Sequence, residues 1–320
     1  MHQPIAILFN FGDAAPVLAD PLPSWNDTVA KARIIAFVES VTDPSSPDYV
    51  TPANRIAVFD DDGCLWAEQA VHLQLIHAMD RLREKAVADP SILTSDVLRA
   101  ACAGDVEAMR AGGAKGAIEV LNVLHSGMFV PDFQADVRDW LRTATHPDTG
   151  LPYRDMIYQP MLELLAYLRD EGFETWVVSD GSVHFLRILA EETYGIPPEH
   201  VLGSANPTEP DDGTAQVLKL PGIAFGGDKA GKTVGLESRI GRRPIFAVGN
   251  WDGDFQMPAY TVAGGGARFA MIVHHTDGGH EAACDPDSRA GQRVGGLDAG
   301  PGRGWLFVDV AEDWEQVWSR

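Results

Sequence analysis

Apolar residues fall into two rhythms along the chain. From Ala30 to Val41 they recur at the spacing of a helix face, and a loop with Pro and Ser, 42–54, follows. Arg55-Ile56-Ala57-Val58-Phe59 is then a short apolar run with a β-branched bias, and it stops at Asp60-Asp61-Asp62-Gly63. That is the pattern of a buried parallel strand whose C-terminal end carries carboxylates. From 67 to 87 the helical spacing returns through Val71, Leu73, Leu75, Ile76, Met79 and Leu82, and further helices are predicted at 93–103, 105–111, 116–126 and 131–144. No strand pattern interrupts them. Segment 67–155 therefore reads as an all-helical insertion ending near the loop His146–Pro152.

Strand and helix then alternate. Met161 to Glu171 has a helix face and Gly172 ends it; Thr175-Trp176-Val177-Val178-Ser179 is a second buried strand, and Val183 to Thr193 a helix. Further strands are predicted at Val201–Ser204, Ile245–Val248, Phe269–Val273 and Trp305–Val310. The alternation predicts an α/β protein: a doubly wound parallel sheet carrying the helical insertion as a cap. The chain divides into a tail (1–30), a first part of the core (31–66), the cap (67–155) and a second part of the core (156–320).

Three predicted strand ends carry polar residues: Asp60-x-Asp62-Gly63, Ser179, and Gly249-Asn250-Trp251-Asp252-Gly253-Asp254. Lys232 opens the helix before the third. Ligands of open α/β sheets bind at the carboxyl ends of the strands, so all four pieces can converge. Two carboxylates two residues apart reach one site if the backbone bends sharply, which Gly63 permits. The first can attack phosphorus to form an aspartyl-phosphate, and the second can protonate the leaving oxygen and later deprotonate water. Asp60, Asn250, Asp254 and the backbone carbonyl of Asp62 are hard oxygen ligands suited to Mg²⁺. Ser179 and Lys232 would bind phosphoryl oxygens.

At these residues the sequence resembles the haloacid dehalogenase superfamily of phosphohydrolases. Phe59-Asp60-Asp61-Asp62-Gly63-Cys64-Leu65-Trp66 looks like its first motif, Val177-Val178-Ser179 its second, Lys232 its third-motif lysine and Gly249–Asp254 its acidic fourth motif. The chain is most similar to a bacterial group related to phosphoserine phosphatases. The resemblance implies a Rossmann-like core with a cap between the first two motifs, a Mg²⁺ cofactor, and hydrolysis of a small phosphomonoester. It implies catalytic Asp60, Asp62 and Lys232, metal ligands Asp60, Asp62, Asn250 and Asp254, and substrate contacts from Ser179, Asp180, Gly181 and, in the cap, Glu68. Three positions depart from the pattern: Cys64 stands where Thr is usual, Asn250 where Asp is frequent, and Asp180 where Gly is common. A metal-independent dehalogenase, a phosphotransferase and a catalytically degenerate binding module are the alternatives. Asp62 together with Asp254 argues against the dehalogenase.

Other patterns compete for the same residues. Gly226-Gly227-Asp228-Lys229-Ala230-Gly231-Lys232-Thr233 matches the nucleotide-binding P-loop letter for letter, but no buried strand leads into it. Lys229 rivals Lys232 as the phosphate lysine. His274, His275, His280 and Cys284 have no zinc spacing. In the cap, Glu68, Gln69, Lys115 and His125 are candidates to reach substrate, but exposed helix faces carry such residues routinely, so each taken alone reads as structural.

Charge narrows the partners. With 25 Lys+Arg against 46 Asp+Glu the net charge is −21, which disfavours nucleic acid and anionic membranes and requires local positive charge at any anion site. Three cysteines, Cys64, Cys102 and Cys284, make no disulfide framework. No stretch is long and apolar enough to span a membrane. The run Ile5–Phe11 lacks a preceding Lys or Arg, so a cytoplasmic protein is favoured, with export as the alternative.

Overall fold

The computed structural model describes residues 19–67, 72–111, 113–147, 149–227, 229–278 and 301–319, and every absence noted below concerns those residues. Helix α1 (Val29–Thr42) lays Ile34, Val38 and Val41 into the core, one face at helical spacing. Strand β1 (Ile56–Phe59) is buried on both faces, as its unbroken apolar run predicts. The other strands are β2 (Glu174–Ser182), β3 (Val201–Ser204), β4 (Thr208–Asp211), β5 (Gln216–Lys219), β6 (Phe246–Gly249), β7 (Phe269–His274) and β8 (Leu306–Asp309). Six of them form one sheet in the order β3-β2-β1-β6-β7-β8, and every pairing in it is parallel.

The chain runs outward from β1 to β3, then crosses back to build β6 to β8 on the other side. The winding therefore reverses between β1 and β6, where such sheets open a crevice at their carboxyl ends. Register sets what meets there. Phe59 lies opposite Val177 on β2 and Val248 on β6, and the Asp60 N–H donates to the Val248 carbonyl at 3.0 Å. Asp60 thus leaves the sheet level with Val178 and Gly249, one residue short of Ser179 and Asn250.

Five helices lie between β1 and β2 before the sheet-flanking α7 (Gln159–Asp170): α2 (Leu73–Ala88), α3 (Asp96–Ala103), α4 (Val106–Ala111), α5 (Gly113–His125) and α6 (Val130–Thr143). Leu75, Leu82, Leu98, Met109, Val120 and Leu124 give α2–α5 an apolar core of their own. Helix α6 behaves differently: Phe133, Val137, Trp140 and Leu141 join the main core. The all-helical segment is thus two packing units, four helices around their own centre and one docked on the sheet layer.

The antiparallel pair β4–β5 is a feature the apolar pattern does not reveal. Thr208, Glu209 and Pro210 are exposed, so no alternation marks the strand. It reaches the insertion through Lys219, whose N–H donates to Met128 and whose carbonyl accepts from Gly127, at 2.9 and 2.8 Å. Beyond β2, α8 (Val183–Leu189) runs into one π-helical turn, Ala190–Tyr194. The remaining helices are α9 (Ala230–Ile240), α10 (Gln256–Val262) and α11 (Val310–Asp313). None of the described helices is long and apolar enough to cross a membrane.

Candidate active site

The turn after β1 is built by one carbonyl and one glycine. The Asp61 carbonyl accepts from the N–H groups of Cys64, Leu65 and Trp66 at 2.9–3.1 Å, and Gly63 takes φ +76°, a left-handed conformation natural to glycine. His275 contacts the Gly63 carbonyl through Nε2 at 2.8 Å. The bend buries Asp60 at the crevice and leaves Asp62 partly exposed at its mouth. The Asp62 carboxylate meets His72 Nδ1 at 2.7 Å.

Lys232, buried on the first turn of α9, sends its ammonium between two carboxylates. It donates to Asp60 Oδ1 at 2.5 Å and to Asp254 Oδ1 at 2.6 Å. Asp254 is fully buried, and its other oxygen accepts from the N–H groups of Asn250 and Trp251 at 2.9 and 3.3 Å. That carboxylate therefore shapes the loop after β6 as well as facing Asp60. A Cβ on Gly249 would stand 2.6 Å from the Asp254 Cβ, so only glycine lets the loop close this tightly.

Lys229 is exposed at the N-cap of α9, with φ +49°. The segment leading into α9 carries an isolated bridge at Phe225 and no strand, and Lys232 is turned onto Asp60. Those features disagree with a P-loop.

Ser179 lies at an irregularity within a strand instead of at its end, because β2 runs on to Ser182 with its register against β3 shifting between Val178 and Ser182. A bulge of this kind re-aims side chains next to a site. Ser179 Oγ is buried and accepts from the Gly181 N–H at 3.2 Å. Opposite, a Cβ on Gly227 would fall 2.3 Å from the Ser179 carbonyl, so the α9 approach is pressed against this strand. Asp180 is partly buried; its carboxylate, that of Asp62 and a ring nitrogen of His72 lie within 4.8 Å of one another. Glu68 and Gln69, like His280 and Cys284, lie outside the described residues.

The electrostatics follow from crowding. Burial, then the neighbouring Asp254, holds the Asp60 carboxyl well above its usual range, against the pull of Lys232. Burial likewise raises Asp180. The flanking carboxylates, Asp254 first, keep Lys232 protonated despite a burial that opposes it. Asp61 is pushed up to about 7, by burial and then by Asp62, while a hydrogen bond from the Tyr194 hydroxyl at 2.6 Å opposes the rise. The π turn after α8 delivers that hydroxyl. Tyr194 and His72 are site residues that sequence spacing does not expose.

A profile of haloacid dehalogenase-like hydrolases matches residues 57–258, most of the chain. The chain belongs to this family. Its members are hydrolases, and the match runs from within β1 to within α10, taking in Asp60–Gly63, Ser179, Lys232 and Gly249–Asp254. No curated protein matches the sequence. Among solved structures, a conserved functionally unknown protein from Anaerococcus prevotii is 15% identical with TM-score 0.54, over 81% of this chain and 89% of that one. A protein of unknown function from Bordetella pertussis is 15% identical with TM-score 0.48, over 80% of this chain and 99% of that one. A phosphoserine phosphohydrolase-like protein from Francisella tularensis is 16% identical with TM-score 0.38, over 68% and 87%. The likeness to the Anaerococcus prevotii protein is one of fold.

Proposed function

We propose that this haloacid dehalogenase-like hydrolase cleaves a small phosphomonoester, with Asp60 as nucleophile and Asp62 as acid and base. The observation that carries the reading is the Asp60–Lys232–Asp254 arrangement at the winding reversal, with Ser179 one residue away in register. Lys232 holds Asp60 Oδ1, which leaves Oδ2 to attack phosphorus. As the P–O bond to the leaving group breaks, Asp62 delivers a proton to the departing oxygen. It then takes one from the water that attacks the aspartyl-phosphate. His72, 2.7 Å from that carboxylate, orients it. The Lys232 ammonium and Ser179 lie where phosphoryl oxygens gather charge. A dehalogenase would need no second carboxylate poised in this way.

The donor chemistry fits Mg²⁺. The Asp60 and Asp254 carboxylates and the Asn250 amide are hard oxygen donors, buried together, and a single ammonium, that of Lys232, faces the two carboxylates. Asp60, Asp254, Asn250 and the Asp62 carbonyl would hold the ion, and Cys64 Sγ, 3.9 Å from Asn250 Oδ1, is too soft to compete for it. Bound there, Mg²⁺ supplies charge neutralisation for the phosphoryl group. Helices α2–α5, with their own core, serve as the cap. The test is phosphate release from p-nitrophenyl phosphate and a metabolite panel, with and without Mg²⁺. Asp60→Asn should abolish Mg²⁺-dependent release; full activity in that variant overturns the reading.

A further inference from the structure

The turn after β1 carries a thiol into the candidate metal site. Cys64 is fully buried, and its N–H donates to the Asp61 carbonyl at 3.0 Å, one of the bonds that fold the chain back over the end of the sheet. One carboxylate oxygen of Asp60, one of Asp254 and the Cys64 Sγ lie within 4.8 Å of one another. Asn250 Oδ1 is 3.9 Å from the same sulfur. All four residues are buried. Their four donors gather in one place from two turns, one after β1 and one after β6.

Donor softness separates the metals that such a set can hold. Mg²⁺ takes the oxygens and leaves the thiol aside. Zn²⁺ and Co²⁺ bind thiolate, so for them the sulfur is a ligand, and its proton passes to solvent as the metal–sulfur bond forms. Zinc bonds of about 2.3 Å to sulfur and about 2.0–2.2 Å to oxygen set two such ligands about 3.5 Å apart at the tetrahedral angle. The Cys64–Asn250 separation exceeds that by a few tenths of an ångström, which side-chain rotation supplies. Lys232 engages one oxygen of each carboxylate and does not bar the other. A thiolate, two carboxylates and an amide oxygen then fill a four-coordinate shell from the protein alone. That is a closed zinc site, with no position left for a substrate oxygen. Thr, the residue usual at this position in the family, would supply no such ligand.

We propose that Cys64 turns the metal site into an inhibitory zinc site, in which Zn²⁺ binds Cys64, Asp60, Asp254 and Asn250, excludes Mg²⁺ and stops turnover. The binding rests on the donor set alone. The inhibition rests on the phosphomonoesterase reading above, in which Asp60 and the metal both face the phosphoryl group.

Co²⁺ serves as the probe, because thiolate ligation gives it a charge-transfer absorption in the near ultraviolet. Titrating the metal-free wild-type chain with CoCl₂ should raise that absorption, Zn²⁺ should bleach it by replacing cobalt, and Cys64→Ala should lose it. A cobalt complex without the absorption overturns the proposal, as does one that keeps it in Cys64→Ala with sulfur from Cys102 or Cys284. The ratio of zinc to magnesium affinity, read by competition with a chromophoric chelator, should fall in Cys64→Ala. The fall should reach or exceed the roughly 10- to 100-fold typical of losing a metal ligand's partner. An equal loss of both affinities makes Cys64 a packing residue and overturns the proposal. Should Cys64→Ala fail to fold, zinc K-edge absorption of a chain carrying Cys102→Ala and Cys284→Ala decides. One sulfur at about 2.3 Å is expected, and a shell without sulfur overturns the site. With Mg²⁺ saturating, Zn²⁺ should suppress phosphate release from p-nitrophenyl phosphate, and Cys64→Ala should need correspondingly more zinc; equal sensitivity overturns the inhibitory role. The cobalt absorption without phosphate release from any phosphomonoester overturns the phosphatase reading instead and leaves the zinc site standing.

Discussion

Replacing Lys232 with Met removes the cation of the site and little else, since Met is unbranched and of similar length. It leaves Asp60, 3% exposed, and Asp254, fully buried, facing each other without the 2.5 and 2.6 Å bonds that joined them. Removing one partner of a buried ion pair destabilises a protein by about 3–5 kcal/mol, and here one side chain serves two pairs. The loss should depend on pH. Asp60 is already held well above its ordinary range by burial and Asp254, and loss of Lys232 raises it further. A native state that binds protons the unfolded chain releases loses stability as pH rises from about 4 through the folded pKa. The deficit of Lys232→Met should therefore be greatest at pH 8 and shrink toward pH 5. Urea unfolding of the chelated protein at both values measures it. Mg²⁺-dependent turnover should fall about 100- to 1000-fold, as when a charge-stabilising donor is lost. A variant as stable as wild type at pH 8, or equally impaired at pH 5 and pH 8, would refute the reasoning.

Three further outcomes follow from the same geometry. Exhaustive chelation should abolish phosphate release, Mg²⁺ should restore it and raise the melting temperature, and Ca²⁺ should raise the melting temperature with little turnover, as calorimetry beside a phosphate assay would record. Gly227→Ala puts a Cβ 2.3 Å from the Ser179 carbonyl, a clash no rotamer relieves, so denaturant unfolding should show a loss of about 1–3 kcal/mol and turnover should fall with it. Asp61, raised from 3.8 to about 7, costs about 4 kcal/mol to keep ionised at pH 8, so metal-free stability should fall between pH 4 and 7. Asp61→Asn, which can still accept from Tyr194, should flatten that slope in urea titrations; an unaltered slope would assign it elsewhere.

The parts of this fold legible in the sequence are those where burial alone dictates residue type. β1 is apolar at every position because both faces are covered, and the acidic run after it marks the strand end without ambiguity. The β4–β5 hairpin is the opposite case. Its exposed Thr208, Glu209 and Pro210 bury nothing, so its pairing leaves no periodic trace. The choice between Lys229 and Lys232 rests on helix phase. α9 starts at Ala230, so Lys229 stays outside at the cap while Lys232 turns inward. His72, next to the start of α2, and Tyr194, in the π-helical turn, meet Asp62 and Asp61 across 10 and 133 residues, which no spacing rule anticipates.

Two side-chain amides of the insertion accept hydrogen bonds from the backbone outside it. The Ser182 N–H donates to Gln74 Oε1 at 2.7 Å, and the Gly222 N–H donates to Asn122 Oδ1 at 2.9 Å. Both partners sit on the insertion, on α2 and α5, whose buried apolar side chains mostly face their own core, while Leu73 of α2 joins the main one. α6, by contrast, is fixed to the main core and carries Asp136, which meets His77 and Arg81 of α2. At about 0.5–1.5 kcal/mol net per hydrogen bond, the two latches contribute about 1–3 kcal/mol, and the Arg81–Asp136 pair, the His77–Asp136 contact and the Trp140 Nε1–Asp80 bond tie α2 to α6 beside them. Parting α2–α5 from the sheet would therefore break the α2–α6 pairs as well as the latch on β2, the strand that carries Ser179 and Asp180. The insertion is thereby held to the strand that, under the phosphomonoesterase reading, places the phosphate.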